Sequence, residues 1–258
     1  MKNKLIAIIP VHLNSQRFPR KALYAIHGLP MVEHVRRRAL ISNCFDRVIV
    51  ATCDDEIARS LDQYNADIIM TSKEHLNGTS RAIEVSENID SDLICLLQGD
   101  EPTLPPKEIS EFIINVSCDK DADAWNAIAK IKKTADLNNK SFVKAAVSEN
   151  FKIDYCFRRS TSHLPLSTQQ KYIYKILGLI CFSNKSLKLF ASKSPSIIEQ
   201  HESIEQIRLI EMQLFLRGIL LERPYPSINE KSDESDVLEF LSNKHQSEDL
   251  QKVLDFDV

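Results

Sequence analysis

Short apolar runs alternate with stretches of helical periodicity along the first half of this chain. Residues 5–10 form a continuous apolar run, as a strand buried on both faces requires. A polar loop follows over 12–20, and 31–40, entered after Pro30, reads as a helix. Residues 47–51, 67–70 and 93–97 read as further strands. Helices are predicted over 56–64, capped by Asp54 or Asp55, from Thr79 onward, and from the Pro105-Pro106 pair. Strands alternating with helices at this spacing predict βαβ units and a parallel sheet. Beyond about Ser117 the pattern loosens. Strands are expected over 124–131, 143–147 and 173–182, and a helix over 203–216 with Ile204, Ile207, Ile210 and Leu214 on its apolar face. The expectation is a single α/β domain over 1–258, led by residues 1–118 and carrying an inserted or appended subregion at about 120–200.

The chain has 258 residues, 43% hydrophobic and 27% charged, with a formal net charge of -3. That is enough chain for a full core, and the mildly acidic balance argues against nucleic acid as partner. Only 5 glycines are present, which excludes a site built on a glycine run. No apolar run approaches the roughly 18 residues of a membrane span, and the short N-terminal apolar stretch carries no secretory cleavage pattern. The six cysteines form no CxxC pair, so they read as reduced thiols of a cytoplasmic protein rather than a zinc site.

In open α/β sheets a ligand sits beyond the carboxyl ends of the strands. After the first strand comes His12-Leu13-Asn14-Ser15-Gln16-Arg17-Phe18-Pro19-Arg20-Lys21, with three permanent cations. Arg forks and a Lys point charge suit phosphate oxygens, and a solvated basic loop is the plainer reading. After the fourth comes Gln98-Gly99-Asp100-Glu101-Pro102. There Gly99 would let the backbone approach a ligand, and Asp100 would offer Mg²⁺ a hard oxygen or cap a helix. His75-Leu76-Asn77-Gly78-Thr79-Ser80-Arg81 opens a helix and is either an anion site or a Thr79 cap. Three such loops point to nucleotide-dependent group transfer. Trp125 reads as core, His34 as structural or surface, His75 as an exposed loop residue in preference to one that approaches the nucleotide, and Arg36-Arg37-Arg38 as a solvated helix face.

These residues also resemble a known family, the 3-deoxy-manno-octulosonate (Kdo) cytidylyltransferases. Ile8-Ile9-Pro10 with Ser15, Arg17, Pro19 and Lys21 is similar to IIPAR followed by S-x-R-L-P-G-K. Gly28-Leu29-Pro30-Met31 with His34-Val35 is similar to G-K-P-M-x-x-H-V, and Asn77 to Arg81 to S-G-T-E-R. Gln98 to Pro102 matches Q-G-D-E-P in full. Val143-Lys144, Ile204-Glu205-Gln206-Ile207-Arg208 and Asp233 with Leu238-Glu239 extend the likeness through the second half.

The resemblance implies a Rossmann-like nucleotidyltransferase fold, with nucleotide bound by residues 1–118 and the sugar by the subregion at about 120–200. It implies an enzyme that joins CTP to an acid sugar, giving a CMP-sugar and pyrophosphate for lipopolysaccharide or other surface glycan. Arg17, Lys21 and Asp100 would be catalytic. His12, Asn77, Arg81 and Gln98 would join Arg17 and Lys21 at the nucleotide, and Arg158, Glu205 and Gln206 would face the sugar. Asp100 and Asp233 would hold Mg²⁺, with Asp236 a rival to Asp233. A homodimer through the 120–200 subregion, without membrane insertion, is expected.

Departures from the family pattern cluster in the sugar half. The family's arginine after the first proline is His12 here, and its loop glycine is Arg20. Its R-H-L-G-I-Y-G-Y segment becomes Lys175 to Phe182, without the histidine and tyrosine hydroxyls. Losing such donors points to a modified sugar, for instance 8-amino-Kdo or a nonulosonic acid. His12 and the altered closing motif motivate the alternative of a non-catalytic nucleotide-binding relative.

Overall fold

The computed structural model describes residues 3–256, and at 244 and 245 the backbone alone. Two compact units emerge, one from 1–113 and 225–258, the other from 114–224.

Unit 1 begins with β1 (Leu5–Val11), buried at every position. A 3-10 turn (Lys21–Leu23) and the small hairpin of β2 (Ala25–Ile26) and β3 (Leu29–Pro30) lead into α1 (Met31–Ile41). There follow β4 (Arg47–Thr52), α2 (Asp55–Asp62), β5 (Asp67–Met70), α3 (Gly78–Glu87) and β6 (Leu93–Leu97). β4 and β6 flank β1 in parallel, and β5 continues the sheet beyond β4. The chain thus winds outward from β1 through β4 to β5, then returns to the other side of β1 as β6. The strand order reverses between β1 and β6, which opens a crevice at their carboxyl ends. α4 (Pro106–Cys118) carries the chain across the unit boundary.

In unit 2, β7 (Ala124–Lys130) is followed by α5 (Thr134–Asn138), β8 (Lys144–Val147), β9 (Ile153–Phe157), α6 (Leu166–Gln169) and β10 (Ile173–Ser183). Then come α7 (Asn184–Ala191), α8 (Ile197–Glu202), α9 (Gln206–Glu211) and β11 (Leu216–Leu220). β10 runs antiparallel to β7 and β8, β8 antiparallel to β9, and β11 parallel to β7. The register of β10 on β7 shifts between Ile176 and Ile180. Buried Asn126 patches the irregularity, its amide donating to the Leu177 and Leu179 carbonyls at 3.0 and 3.2 Å. Trp125 lies in the core, as expected, with its indole N–H on Asp119 at 2.8 Å.

The helix predicted over 203–216 is not continuous. Ser203, at φ 53°, ends α8, and Gln213, at φ 58°, turns the chain into β11. The short helices are pinned by buried Arg208, which forks onto Glu199 and lies over the Phe190 ring. β9 and β11 are strands that the apolar pattern does not predict.

The closing stretch returns to unit 1 as α10 (Glu234–Ser242) and α11 (Lys244–Leu254). Ile228, Val237, Leu241 and Leu250 pack with Ile26 and Met31. This stretch overturns the reading of Arg36, Arg37 and Arg38 as a solvated face. All three are buried. Glu33 accepts from Arg36 at 2.6 Å and from Arg37 at 2.9 Å. Arg37 also donates to the Val253 and Leu254 carbonyls at the end of α11. No helix of the described residues is long and apolar enough to cross a membrane.

Candidate active site

The crevice at the ends of β1 and β6 holds a cleft of about 170 Å³, lined by His12, Lys21, Asn77, Arg81, Gln98 and Asp100 among others. Six side chains singled out from separate stretches of sequence therefore meet in one place. β1 delivers His12, β6 delivers Gln98 and Asp100, and α3 begins at the rim with Asn77 as its cap.

Two glycines make the loops fit. A Cβ on Gly78 would stand 2.9 Å from Pro10 Cγ and 3.4 Å from the Gln98 amide, so α3 starts hard against the strand ends. A Cβ on Gly99 would stand 2.2 Å from Val11 Cγ1. The freedom at Gly99 thus serves packing of the loop against β1, not only approach to a ligand.

Lys21 and Asp100 face each other across the cleft. The Lys21 ammonium donates to Asp100 Oδ2 at 2.6 Å and to the Ile228 carbonyl at 3.2 Å. Among the described residues Asp100 Oδ1 accepts no hydrogen bond. The Ile228 N–H donates to the Asp100 carbonyl at 3.0 Å, and this holds the closing stretch of unit 1 against the loop after β6. One and two residues on, the Asn229 and Glu230 N–H groups donate to Asp233 Oδ2 at 2.8 and 3.0 Å. Asp233 stands beside this junction without lining the cleft, and Asp236 is exposed in the first turn of α10.

Arg81 is 3% exposed, its guanidinium bound to the Thr71 hydroxyl and, at 3.2 Å, to the Ser72 carbonyl. The loop just after β5 thus anchors it where it adds fixed positive charge to the wall. His12 is held below its ordinary pKa by partial burial first and then by the Arg81 cation. Lys21 pushes the same way, against Asp54 and Asp100, so the His12 ring is neutral near pH 7 in the free cleft. The cap of α3 is Asn77, whose Oδ1 accepts from the Ser80 N–H at 2.8 Å, rather than Thr79. Asp54 makes no cap of α2. It accepts from the Leu13 N–H at 2.9 Å and ties down the loop after β1.

Arg17 lies on the exposed part of that loop, 3.4 Å from Asn229 Oδ1, and does not line the cleft. Arg20 takes a left-handed backbone at φ 63°, the conformation a glycine adopts freely, and forks onto Glu56. His75, read as an exposed loop residue, lines the cleft instead and is bonded to Glu84. Its closeness in sequence to the Asn77 cap was the available signal.

Arg158, Glu205 and Gln206 belong to unit 2. Arg158 donates to the carbonyls of Lys140, Glu202 and Ser203 at 2.8 to 2.9 Å. Gln206 donates to Asn126 Oδ1 at 2.9 Å. Both side chains therefore brace the unit. Glu205 is partly exposed at the start of α9.

Among the described residues no three acidic, histidine or cysteine side chains gather as a closed metal cage. A single carboxylate with one oxygen clear of protein donors is what Mg²⁺ takes alongside substrate phosphates. The donor set fits a divalent ion brought in with a polyphosphate.

The family model for cytidylyltransferases matches residues 6–221. The 3-deoxy-manno-octulosonate cytidylyltransferase of Chlorobium limicola is 33% identical over 235 residues, covering 88% of this chain and 93% of that relative. The protein of the same name from Geotalea daltonii is 32% identical over 254 residues, covering 93% and 99%. A solved CMP:2-keto-3-deoxy-manno-octonic acid synthetase complexed with CTP superposes with a TM-score of 0.84 at 27% identity, over 93% of this chain and 98% of that one. An inositol-1-phosphate CTP transferase from T. maritima, at 15% identity and a TM-score of 0.71, shares the fold. A parallel sheet with its cleft at the strand-order reversal, and relatives matched nearly end to end, lead to one conclusion: the chain belongs to the cytidylyltransferase family, among the 3-deoxy-manno-octulosonate cytidylyltransferases, and is a nucleotidyltransferase.

Proposed function

We propose that this enzyme joins CTP to Kdo or a close acid-sugar analogue, releasing pyrophosphate, in the cytoplasm. The observation that carries the reading is the meeting of Lys21, Asp100, His12 and Arg81 in one cleft where β1 and β6 part. An anomeric hydroxyl attacks the α-phosphorus of CTP. The new oxygen–phosphorus bond forms as the bond to the β-phosphate breaks, and the hydroxyl proton leaves to solvent.

Charge builds on phosphate oxygens in such a reaction, so the protein's role is positioning and electrostatic stabilisation. Lys21, which lines the cleft, takes up triphosphate oxygens, and Arg17 joins it only by swinging in from the exposed loop. Arg81 holds its charge at the wall with its geometry set by the loop after β5. Asn77 and Gln98 contact the nucleotide, and Arg158, Glu205 and Gln206 shape the unit that receives the sugar. Cytidylyltransferases generally use a divalent metal. Mg²⁺ is the proposed ion, with Asp100 as the carboxylate in the cleft and Asp233, beside the Ile228 junction, as the second. When bound, it supplies positive charge to the phosphates.

A second reading keeps the chemistry and changes the sugar to 8-amino-Kdo or a nonulosonic acid. It is favoured by the absence, along Lys175 to Phe182, of the histidine and tyrosine hydroxyls of the family pattern. Assembly as a homodimer through residues 120–200 is also proposed, and light scattering at working concentration is its check.

The test of the site is Asp100→Asn. The variant is expected to keep its fold and bind CTP while losing at least a hundredfold in turnover, on the scale of removing one electrostatic stabiliser. Turnover within a fewfold of the native enzyme would remove Asp100 from the reaction.

A further inference from the structure

The closest charge pair in the cleft joins two groups that the reaction needs apart. Lys21 Nζ lies 2.6 Å from Asp100 Oδ2, with both side chains largely shielded from solvent at 17% and 23% exposure. We propose that Lys21 holds the place of the divalent cation on Asp100 until a nucleoside triphosphate arrives, so that cation binding and phosphate binding are coupled through one side chain. The proposal rests on the cytidylyltransferase reading above.

Three observations carry it. The ammonium already neutralises the carboxylate, and a cation on either oxygen of that carboxylate would sit within a few ångströms of it. Like charges at that range repel strongly where water is thin. Second, Asp100 does not depend on Lys21 for its place. Its carbonyl receives the Ile228 N–H at 3.0 Å, a backbone bond in which the lysine side chain takes no part. Third, Lys21 has somewhere to go. It opens the 3-10 turn at the mouth of the loop after β1, on a flexible four-carbon stem, and lines the same cleft as His12 and Arg81. A triphosphate drawn to those groups offers the ammonium a richer anion than one carboxylate.

The consequence is a preferred order. Without nucleotide, Asp100 binds a divalent cation weakly, because Lys21 must be displaced with nothing to receive it. With the triphosphate present, Lys21 moves to phosphate and the carboxylate is released. Linkage makes the effect reciprocal, so a cation on Asp100 also favours the phosphate-bound position of Lys21. The free enzyme is thereby kept from loading metal without nucleotide.

The test is Mn²⁺ titration without nucleotide, followed by the electron paramagnetic resonance signal of the free ion. The proteins compared are the native chain, Lys21→Met, Lys21→Gln, Lys21→Arg and Asp100→Asn, each checked for folding by circular dichroism. Removing the ammonium is expected to tighten Mn²⁺ binding about tenfold, within the usual range of coupling between sites. Lys21→Arg, which keeps the charge, is expected to bind as weakly as the native chain, and Asp100→Asn to abolish the site. Two neutral replacements guard against one that fails to fold. Unchanged or weaker Mn²⁺ binding in both, with Asp100→Asn still abolishing it, would overturn the placeholder and leave the metal site standing. Mn²⁺ binding indifferent to Asp100→Asn would overturn both.

Discussion

At the scale of single residues, His34 shows how α1 sets a titration. Its Nε2–H donates to the Ile26 carbonyl at 2.7 Å and its Nδ1 is buried without a partner. Burial, opposed by that hydrogen bond, holds the ring at a pKa of about 4 against an ordinary 6.5. The folded state therefore stays neutral while the unfolded chain takes up a proton below 6.5. The stability tied to the neutral ring is complete above pH 6.5, falls as the pH drops toward 4, and changes no further below. The span corresponds to about 3 kcal/mol. His34→Gln keeps a donor for Ile26 and removes the titration. Urea unfolding near pH 7 and again near pH 4.5 is expected to show a smaller acid loss in the variant, by about 2 kcal/mol. An equal loss would mean that His34 is protonated in the fold.

At the scale of elements, α1 and α11 carry the clearest contrast. Arg37 donates to two carbonyls at the end of α11 and to Glu33, whereas Arg38, 1% exposed, has no hydrogen bond at any of its three nitrogens. Burial pushes the Arg38 guanidinium down to about 10, with Asp249 pulling the other way. An apolar side chain of similar length removes an unbonded buried charge. Arg38→Met is expected to stabilise the protein by about 1–3 kcal/mol, and Arg37→Met to destabilise it by a similar amount. Denaturant melts of the two variants check this, and a loss of stability in Arg38→Met would contradict it. The burial of these arginines could not be read from local pattern. A run of three charges in a helix usually faces water, yet Arg36 reaches the Tyr64 carbonyl and Arg37 reaches carbonyls more than 200 residues away in sequence. The same limit applies to the predicted 203–216 helix. Its apolar spacing is real, with Ile204 and Ile207 buried, but left-handed turns at Ser203 and Gln213 are invisible to periodicity. By contrast β1, β4 and β6 were legible, because strands buried on both faces show as apolar runs, and β5 showed through its Ile68-Ile69-Met70 run although it is only partly buried.

At the scale of the molecule, the cleft of unit 1 was more legible than the residues of unit 2 proposed for the sugar. Strand ends in a parallel sheet converge by topology, so knowing that Gln98, Asp100 and His12 follow strands was enough to bring them together. Asn77, Arg81 and Lys21 came with them. The pairing of Lys21 with Asp100, and of Ile228 with the Asp100 backbone, depends on how the closing stretch packs and left no mark in sequence. Arg158 and Gln206 bond to carbonyls and to Asn126, which no motif announces.

Pyrophosphate release tests the proposed reaction most directly. Purified protein would be given Mg²⁺, CTP and, in separate runs, Kdo, 8-amino-Kdo and nonulosonic acids. The expected result is release with CTP and one of these sugars, dependent on both substrates and on the divalent ion. Silence with every sugar, together with no binding of CTP, would contradict the account at its centre.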